Sequence, residues 1–432
     1  MQRTNVSAGN QVLATAGASA LPLVLIVALF FLWGMANNLN DILITQFRKA
    51  FTLSDFQAGL VQSAFYLGYF LLAVPAGMFM RRFGYKSAVV LGLALYATGA
   101  FLFWPAAQLH TYGFFLFALF VIASGLAFLE TSANPFVTVL GPAESAAHRL
   151  NLAQSFNPLG SITGVVIGQH FIFSGIEHTS CDIAAMDSAE RAAYLASESA
   201  AVQLPYLVIG LLVLAWAVLI LCTRFPTIAG QAAGTEHSAP VFRALRRNGR
   251  FLLAVVAQFF YVGAQVGIWS YLIRYIQATI PGTPEKMAAN FLTASLVAFM
   301  IGRFAGTALM RSISPQRLLV AFSGINIGLC AIAVVAPGPT GAYALVASSF
   351  FMSIMFPTIF AIGIDGLGDA ERKLGSALIV MAIIGGAVLT ALMGATSDMG
   401  GIHIAMSIPL ACFGVVLAFA ACSASKSPGS MS

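Results

Sequence analysis

Two acidic residues, Asp41 and Glu130, lie inside long apolar runs, whereas the other Asp and Glu residues fall in loops or at the ends of runs. Holding a charge at mid-bilayer costs about 2.5–3.5 kcal/mol on insertion scales, so an acid kept there is a functional candidate by default. A carboxyl short of water has a raised pKa and can take and release protons near neutral pH. The competing reading is a protonated carboxyl that only bridges helices. Asp41, twenty residues from Leu21, could also sit near an outer surface. Polar neighbours favour chemistry. At about 100° per residue, Gly34, Asn37, Asn38 and Asp41 share one helix face, as do Glu130 and Asn134, then Gln154, Asn157 and Ser161, and finally Gln258, Tyr261, Gln265 and Trp269. Amides offer a donor and an acceptor to hydroxyls, and an indole face suits the apolar side of a pyranose ring. One such stripe could be interhelical glue; four converging in one bundle describe a pocket for an uncharged polyhydroxy ligand.

Three further residues, Arg82, Arg303 and Asp365, are gating candidates. Arg303 either snorkels to an inner surface or pairs with Asp365, and Arg274 snorkels at the outer surface. The five cysteines and six histidines show no metal spacing, and neither a nucleophile–base pair nor HExxH occurs. We therefore expect no enzyme chemistry, no cofactor and no metal.

The elements that must position these residues follow from composition. Apolar residues make up 59% of the 432-residue chain and charged residues only 8%, against about 25% in soluble proteins; mean hydropathy is +0.88. Lipid is the main solvent. The net charge of +6 is spread over short loops, which fits membrane topology rather than nucleic acid. Apolar runs long enough to span a bilayer are expected at 21–47, 56–80, 86–107, 113–140, 151–174, 202–223, 251–277, 288–310, 318–336, 341–364, 374–397 and 402–422. This gives an N-terminal tail at 1–20, a six-helix bundle at 21–223, a polar linker at 224–250, a second bundle at 251–422 and a tail at 423–432. With the N-terminus cytoplasmic, fifteen Lys and Arg residues fall inside and four outside, so both termini and the linker are expected in the cytoplasm. The loop at 175–201 is expected outside.

The halves resemble each other at an offset of 229 residues: Phe30, Phe31 and Gly34 match Phe259, Phe260 and Gly263, and Gly77 and Arg82 match Gly306 and Arg311. This suggests parallel repeats about an axis along the membrane normal. The segment Gly77-Met-Phe-Met-Arg81-Arg82-Phe-Gly84-Tyr-Lys86 resembles the loop signature of the major facilitator superfamily, with Arg81 where an acid is usual.

Several longer stretches resemble the bacterial L-fucose/proton symporters, within the fucose–galactose–glucose group of that superfamily. They are Ala36-Asn-Asn-Leu-Asn-Asp41-Ile-Leu, Phe51-Thr-Leu-Ser-Asp-Phe-Gln-Ala-Gly-Leu60, Leu129-Glu-Thr-Ser-Ala-Asn-Pro-Phe136, Arg149-Leu-Asn-Leu-Ala-Gln-Ser-Phe-Asn157, Tyr261-Val-Gly-Ala-Gln265, Trp269-Ser-Tyr-Leu-Ile-Arg-Tyr275 and Phe356-Pro-Thr-Ile-Phe360. The resemblance implies an all-α membrane fold of twelve transmembrane helices in two six-helix bundles, situated in the inner membrane and importing sugar with protons. It implies that Asp41 couples protons and that Glu130 joins ligand recognition to protonation. The amides of Asn37, Asn38, Gln154, Asn157 and Gln265 would line the central cavity. Met355 and Phe356 replace a Gln-Tyr pair of those symporters, Thr45 replaces a Pro, and Pro158 stands where a Ser is usual, so the sugar can differ. The expected partners are a small sugar (L-fucose first, then glucose, galactose or an amino sugar), protons and the bilayer, with the chain a monomer. Proton-coupled efflux of an amphipathic compound would call for a more aromatic cavity, and a sugar sensor would not need two buried carboxyls.

Overall fold

The computed structural model describes residues 21–51, 55–167, 171, 186–225 and 238–424, with the backbone alone at some positions. All regular elements among the described residues are helical. This is what an apolar solvent demands, because a helix satisfies its own N–H and C=O groups. In chain order they are α1 (Leu21–Ala50), α2 (Asp55–Gln108), α3 (Tyr112–Val139), α4 (Ala146–Gln154), α5 (Phe156–Ile167), α6 (Ser188–Ala200), α7 (Gln203–Cys222), α8 (Ser238–Arg247) and α9 (Gly249–Thr279). Then come α10 (Glu285–Leu309), α11 (Pro315–Val335), α12 (Pro339–Met352), α13 (Met355–Ile364), α14 (Asp369–Met381), α15 (Gly385–Gly400), α16 (Ile402–Ala405) and α17 (Ser407–Ala424).

Nine helical stretches among the described residues are long and apolar enough to cross a membrane. One of them, Ala64–Gln108, lies within α2, which contains the second and third expected spans; these part at Gly84, whose φ of 83° glycine adopts without strain. Two more expected spans fall on α1 and on α4 with α5. The tenth span is broken between α12 and α13, just before Pro357, which cannot donate to the helical ladder. The eleventh passes through a 3-10 turn, Ala382–Ile384, before Gly385.

The internal repeat has a geometric counterpart. In the first half α1 meets α5 through Gly34, against the Asn157 carbonyl, and Gly160, against the Phe31 carbonyl. In the second half α9 meets α15 through Gly263, against Leu389, and Gly385, against the Phe259 carbonyl. Glycine is needed here because a Cβ would overlap the facing backbone or side chain. Buried apolar residues form two clusters. One surrounds Phe30, Phe103 and Phe136 and takes in Phe360 and Leu374 from α13 and α14; the other surrounds Tyr261, Tyr275 and Phe413.

Two elements were not expected. Helix α6 forms in the acidic loop, its N-cap Asp187 accepting from the N–H groups of Ala189 and Glu190. Helix α8 forms in the polar linker, with Val241 and Leu245 buried and Arg243 and Arg246 exposed, so an amphipathic face docks it on α14. The end of the bundle carrying α8 is the linker side, and the opposite end is the far side.

The halves touch on the linker side. Gly77 packs against Ala377, Ser376 Oγ donates to the Thr131 carbonyl at 3.0 Å, and Asn151 Nδ2 donates to Thr358 Oγ1 at 3.2 Å. Nearer the surface, the Tyr85 hydroxyl donates to Asp369 Oδ1 at 3.5 Å, and Lys373 Nζ meets Asp369 Oδ2 at 2.6 Å. A tyrosine and a lysine–aspartate pair thus stand at this end of the seam.

Candidate functional site

Helix α3 supplies the centre. It is so closely packed that nearly its whole length from Ile122 is buried, and Glu130 within it is only 3% exposed. Its carboxyl lies beside the Tyr69 hydroxyl of α2, which also neighbours the Trp33 indole of α1. One turn along α3, Asn134 Oδ1 accepts from Gln154 Nε2 at 3.0 Å. Gln154 then faces the other half: its Oε1 accepts from Arg303 Nη1 at 2.9 Å, and its backbone carbonyl accepts from the same nitrogen at 3.3 Å. The Arg303 guanidinium lies 4.8 Å from the Phe299 ring centroid and close to Tyr261 of α9. A continuous polar line therefore runs from Glu130 and Asn134 on α3, through α4, to α10 and α9.

Arg303 corrects an expectation. At 4% exposed it does not snorkel, and it does not meet Asp365, whose carboxylate instead faces Arg250 at 3.5 Å. The helix carries it toward the bundle interior, where Gln154 and an aromatic face replace water. Arg82 is exposed and lies over the Phe83 ring at 5.3 Å.

The remaining stripe residues divide. Asn157 Nδ2 donates to the Phe30 carbonyl at 3.2 Å, and Ser161 Oγ donates to the Gly34 carbonyl at 3.3 Å, so both tie α5 to α1. The Tyr261 hydroxyl donates to the Met352 carbonyl at 2.9 Å, at the break between α12 and α13, and Phe356 meets its ring edge-on at 6.4 Å. Trp269 Nε1 donates to Ser349 Oγ at 3.1 Å, and its ring meets Phe299 edge-on at 5.0 Å. Gln265 is half-buried. The side chains of Asn37, Asn38 and Asp41 lie outside the described residues, although their backbone continues α1.

Among the described residues, several buried polar atoms have no hydrogen-bond partner: Trp33 Nε1, Asn134 Nδ2, Arg303 Nε and both amide atoms of Gln258. Buried groups of this kind are seldom left unpaired. They come from both halves, and those of Asn134 and Arg303 lie on the polar line that begins at the buried Glu130 carboxyl, so they can serve a ligand rich in hydroxyls. Sequence reasoning missed Tyr69, Trp33 and the Arg303–Gln154 bond. Two of these are aromatics, which apolar runs contain anyway, and the third joins residues far apart in sequence.

The bundle of apolar helices with a polar interior line drawn from both halves defines a multi-pass membrane transporter. The Major Facilitator Superfamily profile matches residues 24–391, and the chain belongs to that superfamily, with its fold of twelve helices in two six-helix bundles. The chain is 50% identical over 407 residues to the L-fucose-proton symporter of Escherichia coli (strain K12), covering 93% of this chain and 92% of that protein. It is 37% identical over 393 residues to a glucose/galactose transporter of Brucella abortus, covering 90% of each. Among solved structures, it is similar to the E. coli fucose:proton symporter in the outward conformation, with a TM-score of 0.87 and 48% identity, covering 93% of this chain and 98% of that one.

Proposed function

We propose that the chain imports L-fucose, or a close relative of that hexose, together with protons by alternating access. The observation that carries this reading is the set of buried donors and amides, contributed by both halves, that make no hydrogen bond among the described residues, with those of Asn134 and Arg303 on the polar line that begins at Glu130. A sugar bridging the halves would link their movement to its own binding, and Glu130 would bond a sugar hydroxyl as well as bind a proton. Asp41 is the proton-coupling group, and Asn37, Asn38, Asn134, Gln154, Gln258 and Gln265 contact the sugar. At about 2.3 kcal/mol per charge per 100 mV, one proton sustains roughly a 50-fold gradient of a neutral sugar before any pH contribution. The linker side faces the cytoplasm of an inner-membrane transporter, with both termini there, as the excess of Lys and Arg on that side supports. The bodies that move are 21–223 and 251–422, joined through 224–250, and contact on the linker side corresponds to an outward-facing state.

The test is uptake of a panel of labelled hexoses into proteoliposomes, with and without an imposed pH gradient. L-fucose should accumulate only with the gradient, and excess L-fucose should compete with any other transported sugar. Accumulation of glucose or galactose untouched by L-fucose would overturn the substrate assignment, and uptake insensitive to pH would overturn proton coupling.

A further inference from the structure

Away from the polar line, a cavity of about 490 Å³ opens at the seam between the halves, among Tyr66 and Phe70 of α2, Val266 and Tyr271 of α9, and Ala387 and Thr390 of α15. Its volume is in the ordinary range for small-molecule sites, roughly 300–1,000 Å³, yet none of the amides of the central stripes lines it. Its lining is mostly apolar, and two of its hydroxyls are committed to backbone. Thr390 Oγ1 donates to the Gly386 carbonyl at 2.5 Å, and the Tyr271 hydroxyl donates to the Thr390 carbonyl at 3.4 Å. The other hydroxyls in the lining are those of Tyr66 and Ser270, few for a sugar. Leu67 and Phe70 on one wall, with Val388 and Leu392 beside the other, are exposed and apolar, which suits an opening toward lipid.

One charged group meets a residue of its wall. Arg274, exposed and within the last two turns of α9 toward the far side, lies 5.7 Å from the centroid of the Tyr271 ring that lines it. We propose that the cavity holds one glycerophospholipid, an acyl chain filling the cleft and the phosphate meeting the Arg274 guanidinium. Bulk lipid tails solvate an apolar wall as well as a bound tail does. What retains one lipid is therefore the charge-assisted contact to phosphate, in a recess walled on three sides. Because α2 belongs to one half and α9 and α15 to the other, closing the far side would narrow the recess. The lipid is thus a ligand of the state seen here and favours it by its differential affinity.

The full-length transporter is reconstituted in nanodiscs of phosphatidylglycerol, or in a parallel set of phosphatidylethanolamine, each with a trace of the same lipid bearing a diazirine near the end of one chain. Photo-adducts are mapped by mass spectrometry. Adducts should concentrate on α2 around Tyr66–Phe70 and on α15 around Ile384–Ala391. Ala387→Trp, which fills the recess, and Arg274→Ala should each lower them at least fivefold. Val388→Trp, on the neighbouring lipid face, should leave them unchanged. Adducts no denser there than on the exposed face of α7, or unaffected by both the 387 and 274 variants, would overturn the proposal. If Ala387→Trp fails to assemble, Arg274→Ala, a surface change, still decides.

Discussion

Replacing Arg303 with methionine tests whether the bond between α10 and α4 holds the linker side shut. The guanidinium donates to Gln154 Oε1 at 2.9 Å and to the Gln154 carbonyl at 3.3 Å, and it is buried. A hydrogen bond to a charged group contributes about 1.5–3 kcal/mol, and a buried acceptor left unpaired costs a similar amount. Contact with the Phe299 ring adds about 0.5–2 kcal/mol, offset by no longer burying a cation whose Nε is unpaired. The net loss is therefore taken as about 1.5–3 kcal/mol. The bond joins the two halves and must break when the linker side opens, so this shifts the closed-to-open ratio roughly 10- to 150-fold toward opening. Spin labels at Arg82 on α2 and Arg317 on α11, both exposed on the linker side, would report the shift as a longer distance population. Gln154→Leu should give a similar shift, and the double variant should add little to either. An unchanged distance distribution in Arg303→Met, or full additivity with Gln154→Leu, would show that the bond is packing detail rather than a gate.

The two membrane carboxyls should separate in function. Asp41→Asn should abolish pH-driven accumulation yet retain sugar exchange, whereas Glu130→Ala should impair both; counterflow and gradient-driven uptake in the same vesicles distinguish them. At the linker-side surface, burial, then Arg311 and Arg149, hold the His148 imidazole below its ordinary pKa. Arg311 belongs to the opposite half, so the closed state binds fewer protons than the open one. Closure should therefore be strongest above the ordinary histidine value of about 6.5 and weaken as pH falls below it. The same spin-label distances should show this dependence and lose it in His148→Gln. Among the close-packed glycines, Gly160→Ala sets a Cβ into the Phe31 carbonyl, a backbone atom, while Gly263→Ala meets the movable Leu389 side chain. Thermal denaturation in detergent should show the larger fall for Gly160→Ala, by roughly the 1–3 kcal/mol typical of overpacking or more, and equal falls would contradict the packing given above. For topology, single cysteines at Ser238 and Ser188, in a background without native cysteines, should react oppositely with an impermeant thiol reagent. Labelling of position 238 in intact cells would invert the proposed orientation.

Much of the architecture was legible in the sequence because membrane solvation acts on composition and run length. An apolar stretch of about twenty residues must be largely helical whatever its neighbours, and each of the twelve expected runs falls on helix over most of its described residues. The glycines of the 229-residue repeat could be read for the same reason: close backbone approach admits no other residue. Glu130 was recognisable because an acid in such a run is costly. Local pattern could not assign partners. Asn157 and Gln154 sit one turn apart on the same predicted stripe, yet one bonds the Phe30 carbonyl and the other Arg303 across the seam. Arg303 itself, at the same depth as a snorkelling residue, turns inward only because Gln154 and Phe299 receive it there. Helices α6 and α8 escaped notice because their stability comes from a cap and from docking on the bundle rather than from membrane solvation. Sequence thus determined what had to be helical and which groups were expensive to bury. Tertiary structure decided which of those groups meet, because that depends on contacts between residues hundreds of positions apart.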